Sequence, residues 1–432
     1  MKTEKRSLND CLSLVIDRRG VTPKKLGSDW TTEGYPVLSA NNVKSIGLQK
    51  INDLRYVSQD VYQKWMKNEI QRGDILLTSE APAGQVYVWD SDKKIVIGQR
   101  LYALRVKKDV NPWFLAYYLR SPKGQAEIIN KCSGSTVFGI SAKTFDHIEI
   151  VLPEKGVQDK IASALKSIEK KIKTNIMLEH KLESLARLIY DYWFIQFDFP
   201  DENGRPYKSS GGRMVWNEAL NRELPNGWNV VRLGDIITSE RGMSYSTENI
   251  KTEEGVPMIN LASFQPGEGR YKYAGIKYYH GDYSKDKVLK PFDLIMCNTQ
   301  QTAIDFATDI IGRAMLVPDI FNGDVVYSHH ITAIKPMNKN IKSYLLNLFN
   351  SNYFHRYISG FTNGTNILGL LFNGVEDYLL EVPPDNLLEK FDAIEICIEK
   401  QRSELMKENL HLSSLRDFLL PLLMNGQVTF NN

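Results

Sequence analysis

Few side chains in this 432-residue sequence are spaced for chemistry. His329 and His330 adjoin, but neighbours on a strand point to opposite faces and do not readily share a metal. The seven histidines form neither an HExxH nor an HxH pattern. Cys11, Cys132, Cys297 and Cys397 stand far apart, which argues against a zinc ribbon, a CxxC redox pair and a disulfide framework. There is no GxxxxGK(S/T) phosphate loop and no GxSxG elbow. Asn111-Pro112-Trp113-Phe114 is one proline short of the Asn-Pro-Pro-aromatic loop that grips a flipped adenine. No glycine-rich cofactor loop precedes it, and Pro112 suits the first position of a helix. Glu169-Lys170-Lys171 has a nuclease-like Glu-x-Lys spacing, but in a helical stretch without an upstream acid, and reads as a solvated face. Catalysis by this chain, and a metal or cofactor bound to it, are not expected.

The elements around these residues are written twice. SGSTVFGISAKTFDHIEIVLP (133–153) aligns with NGTNILGLLFNGVEDYLLEVP (363–383), so that Gly134, Gly139 and Pro153 meet Gly364, Gly369 and Pro383 at an offset of 230. The same offset sets IGQRLYAL (97–104) on YSHHITAI (327–334). Further upstream it drifts: GYPVLSANNV (34–43) falls on GVPMINLASF (255–264), and GDILLTS (73–79) on FDLIMCN (292–298). Drift of this kind marks two copies of one fold with loops of different length. Short β-like runs at Asp74–Thr78, Ile95–Ile97, Leu101–Val106 and His147–Leu152, with helices at Pro112–Arg120 and Gly124–Lys131, predict a mixed α/β half of about 150 residues.

Each half leads into a long helix. Val157 to Phe194 lacks Pro and Gly, and Ile161, Leu165, Ile168, Ile172, Ile176, Leu182, Leu185 and Ile189 form a heptad-like stripe. The second copy, from about Asn386 to Leu420, carries Phe391, Ile394, Ile398, Leu405, Leu412, Leu415 and Leu419, and Pro421 is expected to end it. About 35 residues give a rod of roughly 50 Å, and two apolar stripes in one chain can cover each other. Asp198–Arg213 reads as a loop or linker, with Trp216 and Trp228 as aromatic anchors. Tyr271–Tyr283 reads as a hydrophobic hairpin.

The predicted organisation is therefore one globular domain at 1–152, a central helix at 153–197, a linker and second globular domain at 198–381, and a C-terminal helix at 382–432. The fold class is mixed α/β (α+β): two similar domains separated by two long antiparallel coiled-coil helices, an internal pseudo-twofold repeat. With 42% hydrophobic and 24% charged residues the composition is globular. No run approaches the roughly 18 apolar residues of a membrane span, and MKTEKRSLND lacks a signal-peptide core. A reduced, cytoplasmic protein is expected. Residues 1–152 hold 23 Lys/Arg against 16 Asp/Glu, and residues 198–381 hold 18 against 21. The first half can attract a polyanion as a whole, the second only through a local patch.

This duplicated order resembles the specificity subunit of Type I restriction-modification systems, across essentially the whole chain. LPNGWNVVRLGDI (224–236) is similar to the start of a target recognition domain in that family. GSTVFGIS followed by IEIVLP is similar to its end. VLPEKGVQDKI (151–161) is similar to the start of its conserved helix, with Gln158 in place; the second copy departs, with Leu388 at that position. The resemblance implies a subunit without chemistry. Its partners would be double-stranded DNA, two methyltransferase subunits that methylate adenine N6, and restriction subunits in the full complex. S-adenosylmethionine, ATP and Mg2+ would sit on those partners. It also implies a split, asymmetric target with a fixed gap, for which the long helices act as a ruler.

Base-edge readers are mostly Arg, Lys, Asn and Gln. On equivalent loops, the candidates in the first half are Arg18, Arg19, Lys24, Lys25, Asn41, Asn42, Lys44, Gln99, Arg100, Ser135 and Thr136. In the second they are Arg241, Asn260, Asn298, Gln300, Gln301, Arg313, His329, His330, Thr365 and Asn366. Gln99-Arg100 and His329-His330 are the sharpest pair, being equivalent in position and different in chemistry. Ser135-Thr136 and Thr365-Asn366 suit phosphates. The alternative is a stand-alone coiled-coil DNA-binding regulator without methyltransferase partners; the internal duplication argues against it, because a homodimer has a second reader already.

Overall fold

The computed structural model describes residues 3–45, 47–134, 138–272, 276–301, 308–365 and 367–428. The chain divides into two compact units, Met1–Lys173 with Leu410–Asn432, and Thr174–Asn409. The division falls inside both long helices, Lys155–Tyr190 and Asp385–Met424. No helix among the described residues is long and apolar enough to cross a membrane.

In the first unit a four-stranded antiparallel sheet runs in the order Leu12–Asp17, Leu101–Val106, Ile75–Thr78, Val86–Val88. A three-stranded sheet places Tyr35–Leu38 between Arg55–Val57 and Val96–Ile97, the last pairing parallel. The second unit repeats the four-stranded order with Ile237–Arg241, Ile331–Pro336, Leu294–Cys297 and Ala314–Leu316. It repeats the parallel pair as Val256–Ile259 with Val325–Tyr327. The central strand of each sheet, Leu101–Val106 and Ile331–Pro336, keeps the 230 offset, as do the helices Pro112–Arg120 and Lys342–Asn350. In each unit an antiparallel two-stranded pair lies at the mouth of the long helix: Thr3–Ser7 with Glu149–Pro153, and Asn229–Arg232 with Leu379–Val382.

Local chemistry explains the repeated helices. Asn111 Oδ1 accepts from Trp113 N and Phe114 N, and Pro112 follows at the first helical position. Asn-Pro-Trp-Phe is therefore a helix start. Ser121 accepts from Gly124 N, and Ser351 accepts from Phe354 N, each hydroxyl also donating to the carbonyl three residues back at 2.6 Å. Gly124 is required there: a Cβ would lie 2.1 Å from the Tyr118 carbonyl oxygen. Gln158 is buried; its Oε1 accepts from Asn111 N at 2.9 Å and its Nε2 donates to Pro153 O at 2.9 Å. Leu388 replaces this polar clasp with apolar contact in the second core.

The long helices differ from the sequence reading in phase. On the first, the covered positions continue Ile161, Leu165, Ile168 and Ile172 through Asn175, Glu179, Leu182 and Ala186 in strict steps of 3 and 4. Ile176 and Leu185, assigned to the apolar stripe, are 41% and 47% exposed. On the second helix Glu395, Arg402 and Asn409 are buried in the corresponding seam. Within the second unit Asn175 Nδ2 donates to Asn409 Oδ1 at 3.0 Å, Asn409 Nδ2 donates to Glu179 at 3.1 Å, and the Tyr190 and Phe391 rings lie 6.1 Å apart. Partner numbers fall as helix numbers rise, so the segments run antiparallel. In the first unit Ile161, Ala162 and Leu165 share a core with Leu423 and Met424.

Three further expectations are corrected. The second long helix continues past Pro421 to Met424, because a proline in the last turn forfeits one hydrogen bond and its own carbonyl still accepts from Asn425 N. Glu169 is not on a solvated face: it accepts from Tyr117 Oη and Arg120 Nη1 at 2.9 and 2.7 Å. Asp198–Arg213 is the expected loop, and an ordered one, with Asp198 accepting from Ser209 N and Oγ, and Phe199 stacked on Tyr207. Trp228 is buried, whereas Trp216 is 57% exposed and is not a buried anchor. In Tyr271–Tyr283, Lys277–Tyr279 is a strand paired on both sides, and residues 273–275 lie outside the described residues.

Candidate nucleic-acid interface

The sheet topology gathers most of the candidate residues at one end of each unit. In the first, Tyr35–Leu38 and Val96–Ile97 run parallel, so the loop beginning at Ser39 and the turn Gly98-Gln99-Arg100 leave the same edge. Strand Leu12–Asp17 pairs Asp17 with Tyr102, which sets Arg18 and Arg19 beside that turn. Arg19 is exposed; its Nε and Nη2 bond the Asp17 carboxylate at 3.0 and 2.9 Å, and it lies 4.2 Å over the Tyr102 ring. Arg18 is half-buried, Lys24, Lys25 and Asn41 are exposed, and Lys44 is half-buried in a short hairpin.

Gln99 and Arg100 are both exposed. Arg100 has φ +63°, a left-handed conformation uncommon outside glycine. Its Nε lies 3.3 Å from Glu80 Oε1. Its carbonyl accepts from Ser79 N at 2.9 Å, and Ser79 O accepts from Ile140 N at 2.8 Å. The second unit repeats this lattice: the His330 carbonyl accepts from Asn298 N at 2.9 Å, and Asn298 O accepts from Leu370 N at 2.9 Å. Arg100 and His330 thus occupy equivalent backbone positions.

His329 and His330 occupy a turn between strands, not a strand, and their ring centroids are 3.9 Å apart. The expectation of opposite faces is corrected accordingly. Burial pushes both imidazoles below the usual histidine range. Arg241 adds to this for His329, and His329 followed by Arg241 for His330. Both Nδ1 atoms are enclosed and lack a hydrogen-bond partner among the described residues. Arg241 Nε donates to the His329 carbonyl at 2.7 Å. Beside it an open groove of about 580 Å³ is lined by Arg241, Asn298, Thr332, Asn363, Gly364 and Glu376, among others. Thr365, next to this lining, is exposed.

Several candidates do not face outward. Asn42 is buried, its Oδ1 accepting from Ser39 N and Oγ and its Nδ2 donating to Gln49 O. Asn260 is buried and caps the turn Leu261–Ser263. Asn298 is buried, donating to Thr332 Oγ1 and His329 O. Arg313 is buried, donates to Asn350 O and is pushed below the usual arginine range by burial. Gln300 Oε1 accepts from Ile310 N at 3.3 Å. Asn42, Asn260, Asn298 and Arg313 are thus spent inside the fold, which corrects their assignment as base readers, while Gln300 is half-buried. The Gln301 backbone pairs with Ile367. Ser135, Thr136 and Asn366 lie outside the described residues.

Glu80, which lies beside Arg100, is not among the sequence candidates, because these were drawn mostly from Arg, Lys, Asn and Gln; a carboxylate can also accept from the cytosine amino group. The alignment of GDILLTS with FDLIMCN ended one residue before it. Among the described residues no cluster of three His, Cys, Asp or Glu suits a metal.

Residues 2–184 and 225–408 match the family model for the Type I restriction modification DNA specificity domain. The chain is 26% identical over 361 residues to the Type I restriction enzyme MjaIX specificity subunit of Methanocaldococcus jannaschii, covering 83% of this chain and 78% of that protein. It is 20% identical to the MjaVIII specificity subunit of the same organism, over 84% of this chain and 81% of the other. A crystal structure of the Type I restriction-modification S subunit from M. genitalium has the same fold, with a TM-score of 0.56 and 17% identity over 98% of this chain and 96% of that one.

Proposed function

Since the chain belongs to the Type I restriction modification DNA specificity family, we propose that it reads a two-part DNA target for methyltransferase and restriction subunits that supply the chemistry. The carrying observation is the repeated lattice that presents Arg100 in one unit and His330 in the other. One backbone frame with two different side-chain sets suits two different half-sites. Arg18, Arg19, Lys24, Lys25, Asn41, Lys44, Gln99 and Arg100 are the proposed contacts of the first half. Arg241, His329, His330 and Thr365 are those of the second. The antiparallel helices are the proposed spacer. Adenine methylation would use S-adenosylmethionine on the methyltransferase subunits, and cleavage would use ATP and Mg2+ on the restriction subunits.

The test is co-expression with the cognate methyltransferase subunit and long-read mapping of N6-methyladenine. The expected result is a split motif with two unlike halves and one gap. A stable complex that leaves no methylation at a split motif would overturn the reading. Removing one heptad from each long helix should shorten the gap, and an unchanged gap would remove the spacer role.

A further inference from the structure

We propose that Glu80 and Arg100 act together as the reader of one G·C pair in the half-site bound by the first unit. This rests on the DNA-reading proposal above and names the base pair that one site takes. A guanidinium donates to guanine O6 and N7, and a carboxylate accepts from cytosine N4. The two groups needed for both bases of one pair therefore stand side by side, with Arg100 Nε 3.3 Å from Glu80 Oε1. The contact uses the inner nitrogen of the fork. Among the described residues the two Nη groups carry no hydrogen bond, and they remain available for a bidentate contact. Both side chains reach solvent, at 49% and 30% exposure.

The pair is also held from below. Thr78 Oγ1 donates to Pro82 O at 2.7 Å and accepts from Gln85 N at 2.8 Å, which fixes the loop that carries Glu80. Glu80 bridges to Gly139, where a Cβ would come within 3.2 Å of the Glu80 Cβ. Arg100 keeps a left-handed backbone that the Ser79 hydrogen bond fixes in place. Strain of this kind persists where the surroundings over-determine it, and it gathers at functional sites. A surface ion pair held only for stability contributes little and needs no such frame. At the equivalent positions the second unit has Thr299, paired with Gly369, and His330. This Glu–Arg pair should therefore serve one half-site alone.

The experiment is selection from a randomised duplex library by the complex of this chain with its methyltransferase subunits, for wild type, Glu80→Gln and Arg100→Ala. The wild type should fix a G·C pair in one half. Each variant should relax that same pair by about tenfold or more and leave the other half unchanged. Glu80→Gln preserves shape, and its melting temperature is measured alongside. A G·C preference retained in both variants, relaxation at different pairs, or a lowered melting temperature with unchanged specificity would overturn the inference. If the wild type selects no two-part motif, the DNA-reading proposal itself falls; an intact motif that the variants do not move removes only the Glu80–Arg100 assignment.

Discussion

The two tips share a backbone and differ in how firmly their side chains are tied down. In the first unit Ser79 and Arg100 meet through the main chain, and the Ser79 hydroxyl is buried without a hydrogen-bond partner among the described residues. In the second, Asn298 makes the same main-chain contact and spends its amide on Thr332 and His329, while Arg241 holds the His329 carbonyl. Behind the first tip lie isolated bridges from Gly139 to Glu80 and Ser133. Behind the second lies a three-stranded sheet, Thr299–Gln301, Ile367–Leu370 and Thr362–Asn363. One tip projects charge from a tight, sterically fixed loop, and the other sets two half-buried imidazoles, tilted against each other, on a hydrogen-bonded platform. A fixed frame can carry different readers because its own bonds are main-chain bonds.

The largest expected effect breaks the sterics of the first tip. A Cβ at Gly139 would lie 2.9 Å from Ser79 O and 3.2 Å from the Glu80 Cβ, whereas at Gly369 the nearest atom is 3.8 Å away. Gly139→Ala should cost about 1–3 kcal/mol in the first unit, and Gly369→Ala less than about 0.5 kcal/mol in the second. Hydrogen exchange read on peptides from each unit checks this, and equal losses would erase the contrast. Next in size is the platform. Asn298→Ala should cost about 1–2 kcal/mol, because Thr332 Oγ1 and Thr299 Oγ1 lose a buried partner. Ser79→Ala at the equivalent place should be close to neutral. Denaturant unfolding of the two variants decides it.

Much of this contrast was legible in the sequence, and the rest was hidden for physical reasons. The 230 offset located both tips because strand and helix lengths are conserved between copies even where side chains are not. Asn42, Asn260 and Asn298 were misjudged because an amide that caps a turn and one that reads a base look alike until burial is known. The seam of the long helices was lost at Ile176, because apolar residues were followed where the helix buries Asn175 and Glu179 instead. A polar residue in such a seam can fix register at a cost in stability, and no apolar count reveals it. The histidine rings meet because a turn, unlike a strand, lets neighbouring side chains face each other.

The smallest expected effect is a pH response confined to the second unit. His329 and His330 are pushed below the usual range by burial, so the unfolded chain binds protons that the folded tip resists. Stability from this source is complete above the unfolded value near 6.5 and is lost as pH falls through it toward the lower folded values. His355 and His180, also lowered chiefly by burial, act in the same sense. Glu395 acts in the opposite sense. Burial beside Glu399 pushes its carboxyl up to about 8, so its contribution is complete below the unfolded carboxylate value and is lost as pH rises through 8. The raw profile of the second unit mixes these signs, and only a difference between variants isolates the tip. A His329→Asn, His330→Asn double variant should lose less stability than wild type between pH 7 and 5, with the first unit unchanged. The effect should be modest because both rings are partly solvated. Parallel profiles for variant and wild type would mean that the histidines titrate freely, and the distinction between a half-buried tip and a projecting one would then rest on the glycines and amides alone.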